Sequence, residues 1–198
     1  MTPDKTSQIE IRPYDARWPQ EFRAIALPLR EALGDLALRI DHIGSTSVPG
    51  LAAKDVIDLQ VTVAALDVEA LSAALAPLGY TLYGLADHDH TPPGHDDDPP
   101  EEWRKLFFRA PEGQRRRNLH VRQAGRANQR YALLFRDYLR ADPLARGGYE
   151  RVKQALARLH ADDVDAYYDV KDPACDIIMA GAELWASATS YAPGPSDL

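Results

Sequence analysis

The sequence predicts an α+β fold: a mixed β-sheet with flanking helices and a helical C-terminal portion. In the first two-thirds of the chain, several segments alternate apolar with polar residues, as half-buried strands do. In the last third, apolar residues recur at three- and four-residue steps, as on helices. Between the strand candidates stand a Gly/Ser/Thr/Pro cluster and a proline-rich acidic stretch that no regular element tolerates, and no internal repeat is present.

Each element follows in order. Across 17–33, Trp18, Phe22, Ile25, Leu29 and Leu33 share one helix face, and Gly34 punctuates. Leu36, Leu38 and Ile40 then alternate with Ala37, Arg39 and Asp41, a strand pattern. Residues 44–50 (Gly-Ser-Thr-Ser-Val-Pro-Gly) form a loop. Over 56–63, Ile57, Leu59, Val61 and Val63 face one way, while Val56, Asp58, Gln60 and Thr62 face the other. Asp67 is the expected N-cap of a helix through Leu78, with Leu71, Leu75 and Leu78 as its buried stripe and Gly79 as its stop.

Residues 80–85 read as another strand. Pro92, Pro93, Pro99 and Pro100 bar helix and strand from the next stretch. Strand candidates at 103–109 and 116–122 flank a turn at 111–113. From Asn128 onward the pattern is helical. Tyr131, Leu134, Phe135, Tyr138 and Leu139 form one stripe, Asp142-Pro143 interrupts, and Tyr149, Val152, Leu156 and Leu159 form a second. Asp172-Pro173, an N-cap followed by proline at the first helical position, is expected to open a last helix through Trp185. One domain over 1–191 is expected, strand-rich over 1–126 and helical over 127–191, with 192–198 a frayed tail.

The 198 residues include 23 Lys and Arg against 30 Asp and Glu, a net charge of −7. That excess is local. Asp87, Asp89, Asp96, Asp97, Asp98, Glu101 and Glu102 fall in 84–102, which has no Lys or Arg, leaving 23 acids and 23 bases elsewhere. Without a net positive field, a strongly basic nucleic-acid binder is excluded. A single cysteine, Cys175, excludes an internal disulfide and a Cys-rich zinc site and fits a reducing compartment. Residues 1–12 lack the apolar segment of a secretory signal, and no apolar stretch reaches the roughly 18 residues of a membrane span. The expected setting is the cytoplasm, with no membrane partner.

The chemically informative stretch runs from His42 to Val63. A Gly-Ser pair after a strand offers backbone N–H groups and hydroxyls to an anion, and Gly44, Ser45, Thr46 and Ser47 are the candidate phosphate ligands. Fourteen residues after Gly44, Asp58 stands on the polar face of a strand, where a carboxylate can hold Mg²⁺ beside a phosphate. Lys54 adds a direct positive charge. His120 is a candidate general acid, base or phosphate donor, or else a hydrogen-bonded structural histidine; the same alternatives hold for His42. In the basic run of Arg115, Arg116 and Arg117, a solvated hairpin face competes with a phosphate contact from Arg117 or Arg122. Arg136 and Lys153 belong to helices that can border a cleft, and Arg136 with Asp137 can equally be a stabilising ion pair. His88, His90 and His95 among the loop acids read as a solvated loop rather than a metal site. Cys175 reads as a packing residue.

The run His42-Ile43-Gly44-Ser45-Thr46-Ser47-Val48-Pro49-Gly50-Leu51, with Ala53-Lys54 and Ile57-Asp58, resembles the signature of the GrpB family. That family also occurs as a C-terminal extension of some bacterial dephospho-coenzyme-A kinases. Tyr14 and Trp18, the strand Asn118-Leu119-His120-Val121, the segment Leu134 to Arg140, and Tyr149, Lys153, Tyr168 and Lys171 extend the resemblance over nearly the whole chain. It implies a nucleotidyltransferase-like fold related to the polymerase-β-type superfamily. There a Gly-Ser grips a triphosphate, two carboxylates one residue apart hold metals, and a third stands on a neighbouring strand. Nucleotidyl transfer with Mg²⁺ on Asp58, and Asp58 and His120 as catalytic residues, is the activity so implied. This chain departs from the pattern: Val56 and Gln60 flank Asp58, and Asn118 and His120 are the residues offered at the third position. The ligand expected is a nucleotide or other phosphate-bearing small molecule. The alternative is a non-catalytic accessory module with a protein partner.

Overall fold

The computed structural model describes residues 8–84 and 87–198. Helix α1 (Trp18–Leu33) leads into strands β1 (Ala37–Ile43) and β2 (Ile57–Val63), then α2 (Val68–Leu75) and β3 (Thr81–Leu82). Strands β4 (Lys105–Arg109) and β5 (Arg117–Gln123) precede three helices, α3 (Ala127–Ala141), α4 (Pro143–Leu159) and α5 (Val164–Thr189). The sheet order is β1-β2-β5-β4-β3, antiparallel except where β2 and β5 run parallel. This is the mixed sheet with a helical C-terminal portion that the patterning predicts.

The two-residue period of the strands splits the sheet into faces of opposite character. Ile57, Leu59, Val61 and Val63 of β2, with Leu119 and Val121 of β5 and Phe108 of β4, are buried against Trp18, Phe22, Leu29 and Leu33 of α1 and Leu71 and Leu75 of α2. Each such side chain contributes about 1.5–3 kcal/mol, so this layer is the main source of stability. On the other face β2 presents Asp58, Gln60 and Thr62, and β5 presents Asn118, His120 and Arg122. Helices α3, α4 and α5 cover that polar face, with Leu134 packed on Met179 and Ala182, and Leu139 and Tyr149 packed on Val48 and Leu51.

Three expectations need correction. The strand expected over 80–85 is only Thr81–Leu82, and Leu85 lies outside the described residues. Asp172-Pro173 opens no helix: Asp163 caps α5 through its contact with the Ala166 N–H (3.0 Å), and Pro173 sits within the helix. Packing of α5 on α3 and α4 outweighs the hydrogen bond that one proline removes. The tail does not fray, because Ser196 accepts from the Ile40 N–H (2.9 Å) and Asp197 from the His42 N–H (2.9 Å), along the free edge of β1.

Candidate functional site

Strand β1 ends at Ile43, and the chain turns through Gly44 at φ +68° into one 3₁₀ turn, Ser45–Ser47. Two of its hydroxyls shape the loop itself. Thr46 Oγ1 donates to the Val56 carbonyl (3.1 Å) and lies 3.0 Å from His42 Nε2, while Ser47 Oγ donates to the Gly44 carbonyl (2.6 Å). Arg140 braces the turn from α3, donating to the Ser47 carbonyl at 2.9 and 3.1 Å. His42 stacks on Phe22 at 4.8 Å, and burial together with the charges of Arg140 and Arg136 pushes its pKa down to about 3. It is a neutral, structural histidine.

Register brings the polar residues of β2 and β5 side by side, Asp58 opposite Asn118 and Gln60 opposite His120. Asn118 Nδ2 donates to Asp58 Oδ1 (2.7 Å). Burial raises the Asp58 carboxyl to about 6, against the lowering effects of the Asn118 bond and of Lys171, Arg122 and Lys54. A carboxyl so placed changes charge near neutrality, as proton-transfer groups do. His120 is buried edge-on to Phe107 at 5.2 Å, and its Nδ1 has no hydrogen-bond partner among the described residues. Burial first, then Arg122 and Lys105, hold its pKa well below the usual histidine value.

Among the described residues the acidic stretch delivers one carboxylate, Asp89, and its neighbour His90 to the cavity. Asp89 is gripped by Arg122 (Nε to Oδ2 2.7 Å, NH2 to Oδ1 2.9 Å), Lys105 (2.6 Å) and Asn128 Nδ2 (3.0 Å). Burial alone would raise its pKa, but the charges and bonds of Arg122 and Lys105 outweigh that and hold it far below the carboxylate range. His90, next along, pairs with Asp176 of α5 at 3.1 Å. The expectation of a solvated loop therefore fails at Asp89, which is drawn in by two cations that the sheet has already buried, while Asp87, His88 and His90 stay exposed.

Helices supply the opposite wall. Lys54 Nζ lies over the rings of Tyr167 (4.1 Å) and Tyr168 (4.7 Å), and Lys153 Nζ lies over Tyr149 (4.7 Å) while donating to the Ala52 carbonyl (2.5 Å). Burial, then the charges of Lys171 and Arg116, lower Lys54 to about 8, and burial lowers Lys153 to about 7. Among the described residues neither lysine has an ion-paired carboxylate. Lys171 pairs with Asp172 at 2.9 Å, and Tyr131 stacks on Phe135 at 6.2 Å. Sheet, loop and helices enclose a cavity of about 330 Å³.

Of the residues expected to form the site, Gly44, Ser45, Thr46, Lys54, Asp58 and His120 line this one cavity. Ser47 and Arg117 do not. Arg117 alternates with Asn118, so it points to the other face and donates to the Tyr80 hydroxyl (2.6 Å) and Gln114 (2.7 Å). Sequence reasoning missed Asp89, Asn128, Lys171 and the tyrosine wall as site residues. The Mg²⁺ ligand set is incomplete. Gln60, at the second carboxylate position, donates to the Gln129 carbonyl (3.1 Å) and accepts from Arg122 (2.6 Å), so its amide is occupied. Asp89 is bound to cations, and among the described residues no group of three or more His, Cys, Asp or Glu is placed to hold a metal. These residues do not fit a two-metal centre.

Residues 8–180 match the family described as GrpB protein. The chain belongs to the GrpB family. A crystal structure of conserved protein GrpB from Enterococcus faecalis superposes with a TM-score of 0.72 at 29% identity, covering 89% of this chain and 99% of that one. A UPF0157 protein of Halalkalibacterium halodurans is 35% identical over 89% of this chain and 83% of its own length. A protein named dephospho-CoA kinase from Mycolicibacterium paratuberculosis is 36% identical over 93% of this chain. The GrpB chain spans about half the length of the kinases it matches, 48% in that case. Among the described residues no helix is long and apolar enough to cross a membrane.

Proposed function

We propose that this GrpB chain binds a phosphate-bearing small molecule of the nucleotide class in the cavity between the sheet and α3–α5, with lysines rather than a metal offsetting the phosphate charge. The observation that carries this reading is the pair Lys54 and Lys153, set in the cavity wall without a carboxylate partner among the described residues. Keeping a cation in such a place costs free energy unless an anion joins it. The Gly44–Ser45 turn lines the same cavity beside the Asp58 carboxyl, and Tyr131, Tyr149, Tyr167 and Tyr168 offer flat surface to a base or other planar group. Kinship with proteins named dephospho-CoA kinase is in keeping with a ligand of that chemistry.

Asp58 and His120 favour a second reading, nucleotidyl transfer, because both line the cavity and Asp58 titrates near neutrality. The incomplete carboxylate set favours binding without transfer. Thermal-shift titration with ATP, ADP and AMP, with and without Mg²⁺, separates the two. Metal-independent stabilisation that disappears in Lys54→Met is the expected result. Stabilisation that needs Mg²⁺ and disappears in Asp58→Asn would replace it with the transfer reading, and no shift with any nucleotide would overturn both.

A further inference from the structure

The stretch that holds the protein's whole charge excess contributes a single carboxylate to the cavity, and that carboxylate sits on a cationic cradle. Two cations, Arg122 and Lys105, face one anion, Asp89. Their side chains are 7% and 8% exposed, so solvent does little to compensate the surplus charge. The Arg122 guanidinium meets the two carboxylate oxygens through Nε and NH2, the fork geometry with which arginine also holds two oxygens of a phosphate.

Two members of the cradle, Arg122 and Asn128, have partners besides Asp89. Arg122 stands on β5 and keeps its NH1 on Gln60 Oε1 (2.6 Å), which α3 anchors through the Gln129 carbonyl. Lys105 stands on β4. Asn128 stands on α3, where its Nδ2 also donates to the Arg104 carbonyl (2.9 Å). Asp89 comes from outside the named strands and helices, beside the isolated bridge of His88 to Arg104.

Two polar atoms at this end of the cavity have no hydrogen-bond partner among the described residues. Asn128 Oδ1 and His120 Nδ1 are buried and unbonded, on residues only 2% and 8% exposed, and both residues line the cavity. An unsatisfied buried polar atom is costly, and the Asp89 carboxylate has no proton to offer Asn128 Oδ1. Hydrogen phosphate has such a proton and, as a dianion, also matches the two cations; a phosphate monoester dianion matches the cations without supplying the proton.

We propose that Arg122, Lys105 and Asn128 form a second anion subsite of the cavity, filled here by the chain's own Asp89, and that a phosphate group, free or esterified, takes the same place by displacing that carboxylate. Asp89 is then an internal competitor that sets how strongly this end of the cavity takes up phosphate. The inference rests on the cradle and does not require the Lys54 end to bind a nucleotide.

The test is thermal-shift titration of Asp89→Ala with inorganic phosphate, against sodium chloride at matched ionic strength. The variant should lose stability in chloride and regain it in phosphate, with an apparent affinity about tenfold or more above that of the wild type. Adding Arg122→Gln to Asp89→Ala should abolish the response. A parallel titration with AMP separates the two phosphate sources: a larger response than to inorganic phosphate points to an ester, and an equal one to the free ion. If Asp89→Ala fails to fold in chloride, refolding in phosphate alone supports the subsite, and failure in both overturns it. A phosphate response no greater than that to chloride, or one that survives Arg122→Gln, also overturns it. Loss of this response while wild-type nucleotide binding stays sensitive to Lys54→Met would remove the second subsite and leave the proposed function standing.

Discussion

Gly44 and Asp58 are in direct contact: a methyl group built on Gly44 would overlap a carboxylate oxygen of Asp58 and stand 3.0 Å from its Cβ. The glycine also holds φ +68°, a conformation other residues adopt with strain. The loop thus closes on the carboxylate because its first residue has no side chain. Gly44→Ala should cost about 2–4 kcal/mol by chemical denaturation, from both causes together. Combining it with Asp58→Ala should recover the part of the cost due to the carboxylate, leaving the tight Cβ contact and about 1 kcal/mol of backbone strain.

The Asp58 carboxyl titrates at about 6 in the fold against 3.8 without it, so the protonated form is the one the fold prefers. The cost of burying its charge is fully present above about pH 6, declines as pH falls through the folded value, and vanishes below pH 3.8. Asn118 can donate to an amide oxygen as it does to the carboxylate. Asp58→Asn should therefore stabilise the protein by about 1–2 kcal/mol in mildly alkaline buffer, with the gain shrinking to nothing on acidification. Denaturant midpoints across that pH range measure it, and a gain that does not change with pH would contradict the assignment.

Lys54 gives a matching test on the cationic side. Among the described residues its ammonium makes only a long contact with the Tyr168 hydroxyl (3.4 Å) besides lying over two tyrosine rings. With its pKa lowered to about 8, it is held charged at neutral pH at some cost to the free protein. Lys54→Met should leave the ligand-free protein equally stable or about 1 kcal/mol more stable, while removing the nucleotide-induced shift. Equilibrium unfolding of the free protein and thermal shifts with nucleotide read the two effects separately. A purely structural lysine would lose stability without any change in ligand response.

The sheet was legible in the sequence because alternation is local: the period of two in 56–63 and 116–122 places Asp58 and His120 on the polar face without knowledge of the rest of the fold. The same parity argument was open for Arg117, one residue from Asn118, and would have removed it from the site. Asp89 was not legible. Its partners Arg122 and Lys105 lie 33 and 16 residues away, and nothing in the stretch itself marks which of its acids enters the cavity. Lys153 was legible as a residue on a helix that can border a cleft, whereas Lys171 looks like a surface lysine until α5 is placed against the sheet. Pro173 misled because Asp-Pro is a strong local start signal, whereas the start of α5 is set by Asp163 and by packing.

The end of the chain gives the last prediction. Arg136 is 3% exposed, and its guanidinium donates to the His42 carbonyl (3.0 Å), Asp137 (2.7 Å) and Asp197 (2.8 Å) and lies 3.8 Å from the fully buried Asp41. It joins the edge strand that leads into the Gly44 loop to the tail and to α3. Removing the guanidinium leaves Asp41, among the described residues, with Arg39 as its ion-pair partner and the His42 carbonyl without this donor. Arg136→Met should cost about 3 kcal/mol, in the range for breaking a buried charge network from one side. Asp197→Ala removes an acceptor that is partly open to water and should cost about 1 kcal/mol. Hydrogen exchange at the His42 amide, whose acceptor is Asp197, should accelerate in both variants, since each breaks one side of the Arg136–Asp197 link to β1. Unchanged exchange at that amide would mean that the tail contributes nothing to holding the strand.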